Sequence, residues 1–224
     1  MSKTITILAL SDIHGKESSL RSILESSLNS YRIDAISISG DITHFGSSED
    51  LKKILGIVSE AGRPFFYVLG NCDPPEYKTG INSLGVCLEA NCHKIGEIAF
   101  VGSGGSTPTP FETPFEVEED TLVRNISGAY SKCGGSATFL VTHNPPLGAV
   151  VDLTRGGAHV GSKALRDLIL KLSPRALQCG HIHEARGKET IGKTLVFNPG
   201  PAMRGNYAIV TLSGENVDVQ LWTA

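Results

Sequence analysis

The chain has 224 residues, of which 40% are hydrophobic and 19% are charged, and its formal net charge is -3 at pH 7. These values are typical of an ordinary globular chain and show no overall basic excess of the kind that marks nucleic-acid binders, although a local basic groove stays open. No apolar stretch approaches the roughly 18 residues of a membrane-spanning helix. We therefore expect a single domain over residues 1–224, with no membrane partner and no nucleic-acid partner, although self-association is compatible with this composition.

The cysteines and the N-terminus predict a cytoplasmic protein. The cysteines are odd in number and contain no Cys-x-x-Cys motif, which favours free thiols in a reducing compartment over a disulfide framework. The first residues enter a predicted strand without the hydrophobic stretch of a secretory signal peptide. The cysteines are Cys72, Cys87, Cys92, Cys133 and Cys179.

In the first 70 residues, predicted strands alternate with predicted amphipathic helices. The strands are 4–10, 36–39 and 65–69; one helix runs from about 17 to 28, and a second begins after a cap at Ser47 or Ser48 and ends before Gly62. The intervals from Asp12 to Asp41 and from Asp41 to Asn71 are 29 and 30 residues, about the length of a βαβ unit. This spacing predicts parallel strands whose following turns lie side by side at one edge of a sheet.

The rest of the chain predicts further strands, two polar loops and two more helices. The elements are a short helix around 76, strands at 86–88 and 98–101 with a hairpin at 95–97, a loop at 102–114 too polar for the core, a helix at 117–132, a strand at 138–141, a loop at 144–161, a helix capped by Ser162, a strand at 176–179, and three antiparallel strands at 194–197, 207–212 and 217–222.

Five of the predicted strands end at turns that carry metal-ligand residue types. These residues are Asp12 and His14, Asp41, Asn71 and Asp73, His143, and His181 and His183. In open α/β sheets the ligand crevice lies outside the carboxyl ends of the strands, so we expect these side chains to meet there. Carboxylate, imidazole and amide groups suit Mn, Fe, Zn, Ni or Co. The sequence thus predicts a metal centre with Asp41 in its middle, while Asp73 more often braces a turn.

The blocks Asp12-x-His14, Gly40-Asp41, Gly70-Asn71, His143 and Gly180-His181-x-His183 occur in this order over nearly the whole chain. Together they resemble the calcineurin-like metallophosphoesterase family. The stretches Gly-Ser-Thr-Pro-Thr-Pro-Phe, Thr-His-Asn-Pro-Pro and Asn-Pro-Gly-Pro are similar to a microbial branch of predicted phosphoesterases. The resemblance implies an α/β fold, a four-layer αββα sandwich of two mixed sheets flanked by helices, with the metal site at the carboxyl ends of the strands.

The resemblance also implies which residues hold the metals. Asp12, His14 and His183 would hold one ion, Asn71, His143 and His181 would hold the other, and Asp41 would bridge them. The implied cofactors are two divalent metal ions, with Mn first and Fe, Zn, Ni or Co as alternatives. The implied activity is phosphohydrolysis of a small phosphoester by a metal-bridging hydroxide, in which Asp41 and Asn71 also count as catalytic.

The sequence departs from the family's phosphatases where they protonate the leaving group. They have Gly-Asn-His, whereas Cys72 follows Asn71 here, and a thiol with a pKa near ~8.5 is a weak substitute. Protein phosphatases of the family have Asp-Arg where this chain has His44-Phe45, so His44 is a candidate catalytic acid, a substrate contact or a turn residue. This chain thus lacks both the proton-donating histidine and the aspartate that orients it. Their joint absence argues against phosphoproteins as substrates and favours phosphodiesters.

Two alternatives stay open beside a phosphodiesterase. One is a phosphomonoesterase, and the other is a binding scaffold of the same fold that has lost activity. A scaffold would be expected to have degraded ligands, and none of the seven is degraded here. His159 lies in a glycine-rich loop and is either a pocket residue or a plain loop residue, and Arg204 is a candidate contact to a substrate phosphate.

Overall fold

Two six-stranded sheets and four α-helices form the fold of the computed structural model, which describes residues 4–80, 84–134 and 139–224. The helices are α1 (Glu17–Ser30), α2 (Ser48–Ser59), α3 (Glu119–Lys132) and α4 (Lys163–Leu172). The strands are β1 (Ile5–Leu10), β2 (Ala35–Ser39), β3 (Phe65–Val68), β4 (Val86–Cys87), β5 (Cys92–Ile95), β6 (Ile98–Ser103), β7 (Phe139–Thr142), β8 (Ala176–Gln178), β9 (Gly187–Ile191), β10 (Thr194–Asn198), β11 (Asn206–Ser213) and β12 (Asn216–Thr223). Short 3-10 helices cover 75–77, 150–152 and 202–204.

The first sheet has the strand order β12-β11-β1-β2-β3-β4. Its strands β1 to β4 run parallel, and β11 and β12 extend it past β1 as antiparallel neighbours. The parallel registers pair Leu8 with Ile36 and Ile36 with Phe65, so β1, β2 and β3 end at the same edge. This confirms the two βαβ units that the 29- and 30-residue intervals predict.

The second sheet has the order β5-β6-β7-β8-β10-β9. Its inner strands β6, β7, β8 and β10 are parallel, while β5 and β9 are antiparallel edge strands. The predicted hairpin at 95–97 joins β5 to β6. The predicted start of β7 at Thr138 lies outside the described residues, and the described part of the strand is Phe139–Thr142.

Three layers of buried apolar side chains hold the sandwich together. Helices α1 and α2 pack on the first sheet, for example through Leu20 and Ile54. The inner faces of the two sheets meet through side chains such as Phe66 and Phe100, whose stacked rings are 4.5 Å apart between centroids. Helices α3 and α4 cover the second sheet. The expected αββα sandwich is confirmed.

Two helices begin at the serines that the sequence offers as caps. The Ser47 hydroxyl accepts a hydrogen bond from the Asp50 backbone N–H, and the Asp50 carboxylate accepts one from the Ser47 backbone N–H, so α2 begins with a capping box. The Ser162 hydroxyl accepts from the backbone N–H of Leu165 at 3.0 Å and caps α4. Such caps typically contribute ~1 kcal/mol each.

The prediction of three antiparallel strands at the C-terminus is wrong. Only β11 and β12 form that pair, while β10 belongs to the second sheet, parallel to β8. The Asn-Pro-Gly-Pro turn and the 3-10 helix at 202–204 lie between β10 and β11 and lead the chain from the second sheet to the first. The polar sequence of β9, an edge strand with exposed side chains, gave no strand signal.

The prediction that the loop at 102–114 is too polar for the core is wrong for residues 102–106, whereas none of residues 107–114 is buried. Strand β6 continues to Ser103, and residues 102–106 are buried. A Cβ on Gly102 would come within 2.7 Å of the Val141 carbonyl, so the two strands approach closely there. The buried polar groups have a partner, because the Ser103 hydroxyl and the Gly104 N–H donate to the Glu89 carboxylate.

Cys92 and Cys133 form a disulfide, so the prediction of a free thiol is wrong at these two positions. Their Cα atoms are 5.7 Å apart, and the bond joins β5 to the C-terminal end of α3. Cys72, Cys87 and Cys179 are free, as predicted. The two cysteines are 41 residues apart and match no short cysteine motif, so no sequence pattern predicts their pairing.

None of the helices in the described ranges is both long enough and apolar enough to span a bilayer.

Candidate metal centre

The turns after five strands bring the seven predicted ligand residues together. The first sheet contributes Asp12 and His14 after β1, Asp41 after β2 and Asn71 after β3; the second sheet contributes His143 after β7, and His181 and His183 after β8. The turns of the two sheets are directly connected, since the His181 N–H donates to the Asp12 carboxylate at 3.2 Å. The centre therefore lies where the strand ends of both sheets meet.

One half of the centre contains Asp12, His14 and His183. The Nε2 atoms of the two histidines are 3.1 Å apart, and the His183 Nε2 is 3.3 Å from Oδ1 of Asp12. Their ligand atoms all lie within 4.8 Å of one another. This is the trio that the resemblance assigns to one ion.

The other half contains Asn71, His143 and His181. The His143 Nε2 is 2.9 Å from the amide Oδ1 of Asn71, and the His143 and His181 rings are 5.0 Å apart between centroids. Nδ1 of His143 lies 2.8 Å from the Ser39 carbonyl, to which it can only donate. That bond holds a proton on Nδ1 and directs Nε2 toward Asn71 and Asp41, where it could bind a metal ion on losing its own proton. The acceptor is a backbone carbonyl, which every residue has, so no residue type in the sequence predicts this hydrogen bond.

Asp41 lies between the two halves. Its Oδ2 is 3.6 Å from Nε2 of His14, and its Oδ1 is 3.5 Å from Nε2 of His143. Each carboxylate oxygen thus faces one half, which is the arrangement that a bridging ligand needs. The side chain is almost fully buried.

The ligand turns require unusual backbone conformations. Asp12, His14, Asp41 and His181 have φ values of 53°, 46°, 47° and 68°, in the left-handed region that non-glycine residues seldom adopt. Each such residue costs on the order of 1 kcal/mol. A Cβ on Gly70 would come within 2.1 Å of the Asp41 backbone nitrogen, so the Gly-Asn turn can approach Asp41 only with glycine there.

Asp73 braces the turns, as the sequence suggested. Its carboxylate accepts hydrogen bonds from the backbone N–H groups of Ile42 at 3.0 Å, Thr43 at 2.7 Å and Gly70 at 2.8 Å. The turn after β2 is thereby fixed to the turn after β3. Burial and the charge of Asp41 raise the pKa of Asp73 to about 6.

The charges of the centre shift its pKa values strongly. Burial alone would raise the pKa of Asp41, but His143 and His14 hold it well below its usual range. Burial would lower the pKa of His143, but Asp41 raises it to about 9. Burial and the charge of His143 lower the pKa of His181 to about 4, so this imidazole is neutral at pH 7.

The donor set fits divalent cations. Two imidazole Nε2 atoms only 3.1 Å apart cannot both carry a proton comfortably, so at least one presents a lone pair. Nitrogen and oxygen donors converge from both sides of Asp41, and the seven residues include no thiol. Such donors suit Mn, Fe, Zn, Ni and Co.

Cys72 and His44, the predicted candidates for proton donation, both lie beside the centre. The Cys72 thiol is buried, and burial together with the charge of Asp41 raises its pKa far above the usual range. His44 is exposed, and its Nδ1 is 3.3 Å from Nδ1 of His14. The neighbouring Phe45 is 56% exposed.

The hydrogen bond with Asp12 raises the pKa of His183. The charge of Arg204, whose side chain is exposed, has a smaller effect that lowers this pKa. His159 pairs instead with the buried Asp152 at 2.6 Å. Sequence reasoning missed Asp152, because its seven-residue distance from His159 within an irregular loop corresponds to no known motif.

The chain is similar in sequence to one group of known proteins and similar in fold to another. A sequence model of the family described as metallophosphoesterase, calcineurin superfamily, matches residues 135–222. An uncharacterized protein of Methanocaldococcus jannaschii, MJ1162, is 35% identical over 208 residues, which is 90% of each chain.

Two solved structures show the same architecture. The protein TT1561 of Thermus thermophilus matches with a TM-score of 0.76 and 19% identity over 97% of this chain and 99% of that one. A dimetal phosphatase from Danio rerio matches with a TM-score of 0.66 and 10% identity over 97% of this chain and 95% of that one. At such identities they bear on the fold alone. With the full set of ligand turns in place and a relative that matches along nine-tenths of its length, the chain belongs to the calcineurin-like metallophosphoesterase family.

Proposed function

We propose that this metallophosphoesterase is a phosphodiesterase that acts on small phosphoesters at a centre of two divalent ions. Family membership supports metal-dependent hydrolysis of phosphoesters in general. The preference for diesters rests on one observation, the buried thiol of Cys72 in the place where phosphatases of the family have a proton-donating histidine.

The proposed ligands are Asp12, His14 and His183 for one ion, and Asn71, His143 and His181 for the other, with Asp41 shared. The two oxygens of Asp41, each facing one trio, support this assignment. When bound, two divalent ions supply positive charge to the phosphoryl oxygens and lower the pKa of water toward neutrality. Mn is the first choice, with Fe, Zn, Ni and Co as alternatives.

The protein's own groups orient the reactants. Asp41 and Asn71 hold their positions through the turn contacts described above, so they cost little reorganisation when substrate binds. His44 stands exposed at the rim, beside His14, and we assign it to substrate contact. The backbone N–H of Cys72 donates to Asp41 at 2.8 Å and helps to orient that carboxylate. We assign no role in proton transfer to the Cys72 thiol.

A thiol with a strongly raised pKa holds its proton too firmly to assist a poor leaving group. The centre is therefore better suited to diesters whose leaving group departs with little proton transfer from this position. Monoesters of simple alcohols would react slowly.

The test compares a matched pair of substrates, p-nitrophenyl phosphate and bis(p-nitrophenyl) phosphate. Protein purified without chelator is first analysed for metal and then loaded with Mn. We expect kcat/KM to be at least about tenfold higher for the diester, a barrier difference near 1.4 kcal/mol. His93→Gln, on the β5 edge strand, is the control and should match wild type. Faster monoester turnover would indicate a phosphomonoesterase, and no turnover of either ester would indicate a scaffold.

A further inference from the structure

We infer that the ring of Phe45 binds a planar aromatic group of the substrate, so that the preferred phosphoesters carry an aromatic substituent. This inference deepens the proposed function and rests on it, because it names a substrate class for the same metal centre. Phe45 would determine specificity through contact with the substrate and would take no part in the chemistry at phosphorus.

Phe45 lies at the outer end of a row of three rings that starts at a proposed metal ligand. The rings of His14 and His44 are 5.1 Å apart between centroids and inclined at 75°. The rings of His44 and Phe45 are 4.9 Å apart and inclined at 60°. The inner ring, His14, faces His183 and Asp41 within the centre. Phe45 is therefore two ring contacts away from a proposed ligand.

Backbone hydrogen bonds fix Phe45 to the turns that carry the ligands. The N–H of Phe45 donates to the Cys72 carbonyl at 3.1 Å, and the N–H of Cys72 donates to Oδ1 of Asp41 at 2.8 Å. Cys72 directly follows Asn71 in the chain. The position of Phe45 is thus set by the same turn contacts that orient Asp41.

Packing explains neither the exposure nor the backbone conformation of Phe45. The residue is 56% exposed, so much of the stabilisation that a buried phenylalanine provides is absent. Its φ of 54° lies in the left-handed region, where a bulky residue is an outlier and glycine would be unstrained. Strained residues of this kind are concentrated at ligand-binding sites. An exposed aromatic ring held in this way beside a metal centre is suited to bind a ligand.

The surroundings of the ring favour a small aromatic group as the ligand. His44 and Phe45 are adjacent and both exposed, so a substrate with its phosphoryl group at the metal centre can extend a substituent across His44 to Phe45. Aromatic rings attract one another in offset-stacked or edge-to-face arrangements beyond the effect of buried area, by about 2–10-fold in affinity. A saturated ring of similar size gains only the effect of area.

The test compares phosphonates, whose carbon–phosphorus bond is not hydrolysed, as ligands of the Mn-loaded protein. Benzylphosphonate is paired with cyclohexylmethylphosphonate, and 2-phenylethylphosphonate with 2-cyclohexylethylphosphonate, so that two linker lengths are sampled. Calorimetry measures each Kd, with methylphosphonate as the reference for the metal centre alone. We expect wild-type protein to bind the aromatic member of at least one pair about 2–10-fold more tightly.

Substitutions of Phe45 should change this ratio and leave the reference unchanged. Phe45→Ala and Phe45→Leu should bring the ratio to about 1, because neither side chain has an aromatic face, whereas Phe45→Trp should keep it. All three variants should keep the wild-type metal content and the wild-type Kd for methylphosphonate. The control is Leu170→Ala, an exposed apolar position on α4, which leads into the opposite end of β8 from the ligand turn; it should leave every Kd unchanged.

Turnover of bis(p-nitrophenyl) phosphate is measured on the same preparations. A wild-type ratio of 1 in both pairs, a ratio that Phe45→Ala leaves unchanged, or loss of methylphosphonate binding in that variant overturns the inference, while diester turnover by wild type keeps the proposed function. No turnover by wild type overturns the proposed function and this inference with it.

Discussion

The backbone N–H of Cys72 donates a hydrogen bond of 2.8 Å to Oδ1 of Asp41. The bond links the turn after β3 to the turn after β2 and fixes the carboxylate plane. The same oxygen faces His143, and the other oxygen faces His14. The side chain of Asp41 is therefore oriented by the protein itself before any ligand arrives.

Asp41→Asn should lower both metal content and activity, because it removes the negative charge that lies between the two halves of the centre. Loss of an outer contact to a metal ligand already costs about 10–100-fold, so we expect at least ~10² in kcat. Metal analysis and diesterase assays of the purified variant measure both effects. A variant that keeps two ions and the wild-type rate would show that Asp41 is not the bridge.

His14→Ala and His143→Ala should each weaken mainly one ion. His14 contacts His183, whereas His143 contacts Asn71, so the two substitutions affect different halves. Titration of the metal-free variants by calorimetry should show one tight site retained and the other weakened by about 10-fold or more. Two tight sites in either variant would contradict the assignment.

Cys72→His should raise monoester hydrolysis relative to diester hydrolysis. An imidazole with a pKa near ~6.5 donates a proton at neutral pH far better than the buried thiol, and a positioned acid contributes at most about 10²–10⁴-fold. His44→Asp in the same background should increase the ratio more than additively, because a carboxylate orients the new ring. We would measure kcat/KM for a matched pair of esters in wild type, both single variants and the double variant. A flat ratio would mean that the proton donor at this position does not set specificity.

Reduction of the Cys92–Cys133 disulfide should destabilise the protein. The bond joins residues 41 positions apart and lowers the entropy of the unfolded chain. For a loop of this length that effect stabilises the folded state by about 4 kcal/mol. The melting temperature should fall by roughly 10 °C. Thermal unfolding of Cys92→Ser and of wild type in reductant measures this, with Cys87→Ser as the free-thiol control. If wild type melts at the same temperature with and without reductant, the bond adds no stability.

The architecture around the centre was predictable because it depends on local periodicity. The strand ends at Asp12, Asp41 and Asn71 recur at the spacing of a βαβ unit, and hydrophobic periodicity alone locates each strand. Parallel pairing then leaves little freedom in where the turns lie. The ligand residue types at those turns needed only this geometry to be brought together.

What the sequence could not predict depends on contacts between distant segments. The partner of Cys92 is 41 residues away, and the pairing follows only from how α3 packs beside β5. The burial of Gly104 depends on Glu89, a carboxylate on another segment. Likewise, Asp152 pairs with His159 because a loop folds back on itself, and no periodic pattern encodes that closure.

The seven proposed ligands come from the ends of strands in both sheets, with Asp12, His14, Asp41 and Asn71 on one and His143, His181 and His183 on the other. Ions bound there would connect the two central layers of the sandwich. Chelation should therefore weaken the contact between the two sheets before either sheet unfolds. Hydrogen exchange in chelator would then rise first at the facing strand ends, while the helix-covered outer faces stay protected.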